Sequence, residues 1–144
     1  MQEQRRLRAD ERVWCNSCYA LLQVCHGAHR KVLRIMSMSH QFASVEPKRA
    51  DIDASKGPLV LEFGTPWCGY CRAAQPLVAH AFEPHPEVEH LKVEDGPGRP
   101  LGRSFRIKLW PTLVFLRDGR EVERLVRPDD AGAIEQALGR VKAG

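Results

Sequence analysis

Two short runs, 59-LVLEF-63 and 112-TLVFL-116, constrain the fold more than any other part of the chain. A strand with one face in water alternates apolar and polar residues. These runs do not, apart from Glu62 inside the first, so each needs cover on both faces. Strands of that kind belong at the centre of a sheet with helices above and below it. At 144 residues the chain is long enough for one domain with such a core.

The neighbouring segments fit around those two strands. Ala74, Leu77, Val78, Ala81 and Phe82 fall on one helical face and predict a helix from about Cys68 to Phe82, ended by Pro84 and Pro86. 88-VEHLKVE-94 alternates as a strand, 95-DGPGRP-100 reads as a turn and 101-LGRSFRI-107 as a short helix. Asp118-Gly119 is a strong hairpin signal, and 121-EVERLV-126 is its returning strand. Asp129 or Asp130 can cap a last helix that carries Ile134, Ala137, Leu138 and Val141 on one face. Upstream, 41-QFASVE-46 reads as an edge strand and 48-KRADIDAS-55 as a helical turn or two. The class is α/β, with a mixed sheet of four to five strands flanked by helices on both faces.

Residues 1–39 differ from the rest. They are rich in arginine, show little periodicity and hold three of the five cysteines, and they read as a poorly structured extension ahead of a domain at 40–144. Residues 1–50 carry nine basic and four acidic side chains, against thirteen and fourteen in residues 51–144. The net charge of +4 therefore belongs to the front segment, and the domain lacks the basic excess of a nucleic-acid binder. No run approaches the ~20 apolar residues of a membrane span. Glu3, Asp10 and Glu11 spoil a secretory leader, and five cysteines are too few and too odd for a secreted disulfide scaffold. A cytoplasmic monomer, with neither nucleic-acid nor membrane partners, is the expectation. Cys15, Cys18, Cys25 and His26 offer a zinc site on paper, but Cys25 and His26 are adjacent and poorly placed to ligate together.

The chemistry centres on 67-WCGYC-71. Cys68 falls where strand gives way to helix, and unpaired N–H groups at a helix start favour a negative sulfur. Cys71 lies one turn on, within reach of a disulfide bonded to Cys68. Such a pair either exchanges electrons or helps to hold a metal. A structural zinc needs about four ligands, and residues 40–144 contain no other cysteine. A C-x-x-C beside a strand–helix pattern therefore favours dithiol–disulfide exchange, with Cys68 as nucleophile and Cys71 as resolving thiol. Glu62, an ionisable residue on a buried strand, is costly there when charged and is suited to passing a proton to or from Cys71. Lys92 on the next strand is a candidate partner for it. Pro111 opens the second central strand, where proline is tolerated.

The stretches 59-LVLEFGTPWCGYCRAAQP-76 and 110-WPTLVFLRDG-119 resemble the thioredoxin superfamily over about residues 40–142. The W-C-G-x-C motif, Pro76 in the helix and the P-T-L run at Pro111 match in order and spacing. The resemblance implies a thioredoxin fold and a thiol–disulfide oxidoreductase in which Cys68 is the exposed nucleophile and Cys71 the buried one. It implies a cis Pro111 beside them that offers backbone hydrogen bonds to substrate. It places Glu62 and Lys92 where the family has its buried acid, usually Asp, and that acid's lysine. Trp67, Gly69, Tyr70, Trp110 and Pro111 form the expected substrate surface. Neither metal nor organic cofactor is expected beyond the Cys68–Cys71 disulfide itself. Substrates would be disulfides of proteins or small thiols, and electrons would come from a reductase or glutathione. Tyr70 departs from the commonest motif, which has proline there, and Arg127-Pro128 stands where the family usually has a glycine lining the groove. Alternatives are an oxidase or isomerase of the same fold, or a non-catalytic binding module with a zinc-holding front segment.

Overall fold

The structure, a computed structural model, describes residues 38–143. The zinc reading of Cys15, Cys18, Cys25 and His26, and nearly all of the proposed 1–39 extension, lie outside the described residues. In chain order the elements are α1 (Arg49–Asp53), β1 (Pro58–Gly64), α2 (Gly69–Phe82), β2 (Glu89–Glu94), α3 (Pro100–Ser104), β3 (Thr112–Arg117), β4 (Arg120–Val126) and α4 (Ala131–Ala143).

The four strands form one sheet in the order β2-β1-β3-β4, so both apolar runs occupy its two central places. β1 pairs parallel with β2 and antiparallel with β3, which puts Glu62 between Lys92 and Leu113. β3 and β4 form the hairpin. Its two turn residues, Asp118 (φ 49°) and Gly119 (φ 75°), are both left-handed, as a two-residue turn between right-twisted strands requires. Gly119 also lies against α1: a Cβ there would stand 2.0 Å from the Asp53 carbonyl oxygen.

Because side chains alternate along a strand, the two central strands feed two separate cores. Val60, Leu113 and Phe115 pack with Val78, Ala81 and Phe82 of α2 and with Ile134, Ala137, Leu138 and Val141 of α4. Leu59, Leu61, Phe63, Val114 and Leu116 pack on the opposite face with Ile52, Val93, Leu101 and Phe105. Helices therefore cover both faces, as the apolar runs demand. Asp130 caps α4, its carboxylate oxygens accepting the N–H groups of Gly132 and Ala133 at 3.1 and 3.0 Å.

Two boundaries differ from the sequence reading. Residues 41–46 make no strand but a single bridge, Phe42 to Lys92, with one hydrogen bond from Ala43 N–H to the Lys92 carbonyl at 2.8 Å. The segment has no apolar alternation to hold a longer ladder on the β2 edge. α3 stops at Ser104 rather than 107, because Arg106 turns left-handed (φ 57°) and Ile107 N–H closes the helix end on the Gly102 carbonyl at 2.9 Å. No helix among the described residues is long and apolar enough to cross a membrane.

Two substitutions in α4 should have opposite effects. Ile134 is fully buried between helix and sheet, and Ile134→Ala should lower unfolding free energy by about 2–5 kcal/mol. Gly139 is mid-helix with nothing near its absent Cβ, and Gly139→Ala should raise it by about 0.5–1 kcal/mol. Urea denaturation of the two variants against wild type checks both signs.

Candidate active site

β1 ends at Gly64, and after a four-residue crossing the chain enters α2. Cys68 is the N-cap, extended at φ −70° and ψ 118°, and its sulfur accepts the Cys71 N–H at 3.2 Å. The sulfur thus occupies the place that a Ser or Asp oxygen takes at most helix starts, facing the unpaired N–H groups. Both cysteines are free thiols. Cys68 is less open than the resemblance implies: it is 8% exposed, against 4% for Cys71, and the backbone at Trp110 lies close to its sulfur.

Cys71 lies deeper. Its sulfur rests against β1, where a Cβ on Gly64 would come within 2.8 Å of it. This contact explains why β1 closes on a glycine. Burial, and then the hydrogen bond with the Cys68 side chain, push the Cys71 thiol up to about 12; the charges of Cys68 and Glu62 add to the effect.

Below the thiols is a buried polar floor. Glu62 is 1% exposed. Its Oε1 accepts the Gln75 side-chain N–H at 2.7 Å and stands 3.6 Å from Lys92 Nζ. Lys92 Nζ donates to Gln75 Oε1 at 2.7 Å, so Gln75 bridges acid and base. Glu62 Oε2 stands 3.1 Å from His90 Nε2, close but poorly aligned, and neither atom has a hydrogen-bond partner among the described residues. His90 Nδ1 accepts the Ser39 N–H at 3.0 Å, which leaves the proton of a neutral ring on Nε2, toward Glu62. The sequence reading found Glu62 and Lys92 but missed Gln75 and His90. Their signals were present as spacing: Gln75 is four residues after Cys71 on one helix face, and His90 is two before Lys92 on one strand face.

Above the thiols the wall is aromatic. Trp67 and Tyr70 are 68% and 60% exposed. Trp110 meets Trp67 edge to face, 5.7 Å between centroids, and its indole N–H donates to Asp95 Oδ2 at 2.8 Å. The Trp110–Pro111 peptide is cis. The Cys68 thiol lies 4.0 Å from the Trp110 carbonyl oxygen, which also accepts Arg127 Nε–H at 3.1 Å. The Pro111 carbonyl accepts the Arg127 backbone N–H at 2.8 Å. Arg127 is left-handed (φ 50°), at a cost of about 1–2 kcal/mol that glycine would avoid. Its guanidinium lies 3.9 Å above the Tyr70 ring. Gly69, exposed at the first position of α2, has nothing near its absent Cβ. Cys68, Cys71, Trp67, Tyr70, Trp110 and Pro111 therefore gather at one helix tip, with Glu62 and Lys92 in the floor. Among the described residues, no group of three or more His, Cys, Asp or Glu could hold a metal ion.

A dithiol at the start of a helix, beside a cis proline in a mixed sheet of this order, defines the domain as that of a thiol–disulfide oxidoreductase. The chain belongs to the thioredoxin family, whose model, Thioredoxin, matches residues 43–140. It is similar to the solved structure of thioredoxin 2 from Pseudomonas aeruginosa PAO1 in its reduced form, with TM-score 0.66 and 57% identity over 74% of this chain and 100% of that one. Among curated proteins, it is 33% identical over 99 residues to the TPR repeat-containing thioredoxin TDX of Arabidopsis thaliana, covering 69% of this chain and 26% of that protein. It is 30% identical over 89 residues to thioredoxin Asp f 28 of Aspergillus fumigatus, 62% of this chain and 82% of that one. The chain thus spans about a quarter of the first relative's length and most of the second's.

The shielded position of Cys71 predicts how the reduced protein reacts with iodoacetamide. Cys71 should stay unmodified through pH 9 and be labelled only as the pH approaches 12, while the urea-unfolded chain labels it at pH 9. Peptide mass spectrometry resolves the two sites. The linkage has a fixed sign: an unfolded thiol ionises near ~8.5, so Cys71 stabilises the reduced fold fully below that pH. The contribution falls as pH rises toward the folded value of about 12.

Proposed function

We propose that the protein reduces disulfides of proteins or small thiols through Cys68 and Cys71. The observation that carries this reading is the Cys68 sulfur at the N-cap of α2, accepting the Cys71 N–H, with the second thiol protonated and buried behind it. As a thiolate, Cys68 attacks one sulfur of the substrate disulfide. That S–S bond breaks, the leaving sulfur takes a proton, and a Cys68–substrate mixed disulfide forms. Cys71 then gives up its proton and attacks Cys68 Sγ. The Cys68–Cys71 disulfide forms, and the substrate leaves with its second thiol. Two electrons have passed to the substrate, and a reductase or glutathione returns them.

Cys71 cannot attack while it holds its proton, and Glu62 is the acceptor this reading assigns. The Glu62 charge is already felt at Cys71, and the hydrogen bond from Gln75 and the Lys92 ammonium keep the carboxylate in place. Lys92 acts through Glu62. Trp67, Gly69, Tyr70, Trp110 and Pro111 line the face that meets substrate. No metal or organic cofactor takes part in these steps. A cytoplasmic setting, with its reducing thiol pool, fits a pair that has to be returned to the dithiol. The same atoms run in reverse in an oxidase or isomerase, and the reduction potential of the Cys68–Cys71 pair, measured against glutathione, separates these directions.

Insulin reduction tests the catalytic claim. Cys68→Ser should fall to the uncatalysed rate, and a Cys68→Ser protein as fast as wild type would refute the assignment. Cys71→Ala should still attack but stall, accumulating a mixed disulfide visible on a non-reducing gel. Glu62→Gln should leave the first step intact and slow release of reduced substrate by about 10²-fold, measured in single-turnover experiments.

A further inference from the structure

We propose that Arg127 makes the site selective for disulfides flanked by acidic residues. The inference rests on the reading of Cys68 and Cys71 as the reacting pair and adds the class of substrate they meet.

Arg49, Arg99, Arg124 and Arg140 each pair with a carboxylate, from Asp53, Glu94, Glu121 and Glu123 respectively. Arg127 is exposed and has no such partner among the described residues. Of the acids close to it in sequence or through Trp110, Asp130 caps α4 and Asp95 accepts the Trp110 indole N–H, while exposed Asp129 forms no ion pair with it. Among the described residues, the charge of Arg127 is therefore unpaired.

An exposed arginine is usually a mobile side chain, but two neutral contacts hold this one and a third holds its backbone. Its Nε donates to the Trp110 carbonyl, its plane covers the Tyr70 ring, and its own N–H binds the Pro111 carbonyl. Among the described residues only Nε is used, so the two terminal nitrogens keep their donors free there to take a carboxylate side-on.

One atom, the Trp110 carbonyl oxygen, is approached by Arg127 Nε at 3.1 Å and by the Cys68 thiol at 4.0 Å. A peptide joined to Cys68 must pass this guanidinium. A carboxylate next to its cysteine would meet a fixed cation with open donors, and a lysine there would meet like charge.

Two synthetic peptide disulfides test this, identical except that the residues on either side of the cysteine are Glu in one and Gln in the other. Wild-type protein should reduce the Glu peptide with a kcat/KM on the order of tenfold above the Gln peptide, and the ratio should shrink as salt rises. Arg127→Gly suits the left-handed backbone and should bring the ratio to within about twofold of one. Arg127→Lys, which keeps charge but loses the planar fork, should fall between. A wild-type ratio near one, or a preference that survives Arg127→Gly, would overturn the inference. If wild-type protein reduces neither peptide, the oxidoreductase reading itself fails and this inference falls with it; reduction of both at equal rates sinks only the role of Arg127.

Discussion

A carboxylate in the middle of a doubly covered sheet must be met by donors, and the way Glu62 is met organises everything beneath the thiols. β1 is central, and its alternation turns Glu62 toward the face covered by α2 and α4, since Val60 on that side packs there. Leaving the ion unpaired at 1% exposure would cost several kcal/mol even after relaxation. Three elements respond: α2 through Gln75, β2 through Lys92 and His90, and the residues before α1 through Ser39, whose N–H orients the histidine. Gln75 has only one workable orientation. Turned over, its oxygen would face the carboxylate and its nitrogen the ammonium. The floor therefore ties the first turns of α2 to the centre of the sheet, and that is what holds Cys71 against Gly64.

The extent to which the sequence disclosed this follows from which forces are local. The apolar runs at 59–63 and 112–116 demanded central strands and got them, because burial on both faces leaves no other place. Asp118-Gly119 demanded a tight turn because both residues are left-handed. Residues 41–46 had only weak β-forming chemistry, and their single bridge depends on the β2 edge rather than on their own pattern. The end of α3 was equally invisible, since it is set by a left-handed Arg106, a residue type that gives no notice of that conformation.

The site divides along the same line. Cys68, Cys71 and the aromatic residues are near neighbours in sequence or belong to a motif, so they could be named in advance. Gln75, His90 and Asp95 serve the site through contacts across elements, and their residue types are ordinary on a helix or strand. Asp95 shows the dependence clearly. It reaches Trp110 because α3 carries Gly102 where a Cβ would stand 2.0 Å from the carboxylate. Nothing in 95-DGPGRP-100 alone announces that arrangement.

Arg127 changes how the groove can recognise a bound chain. The expectation from resemblance was that backbone groups beside Pro111 pair with substrate backbone. Here both carbonyls in question, Trp110 and Pro111, already accept hydrogen bonds from Arg127. A carbonyl has a second lone pair, so sharing is open, but a substrate N–H has to approach beside a cation or displace it. Backbone pairing is indifferent to sequence, because every residue except proline offers the same N–H. A fixed guanidinium is not indifferent, because it distinguishes carboxylate from amide and amide from ammonium. Placing an arginine at a left-handed position that glycine would occupy without strain thus exchanges breadth of recognition for discrimination by charge.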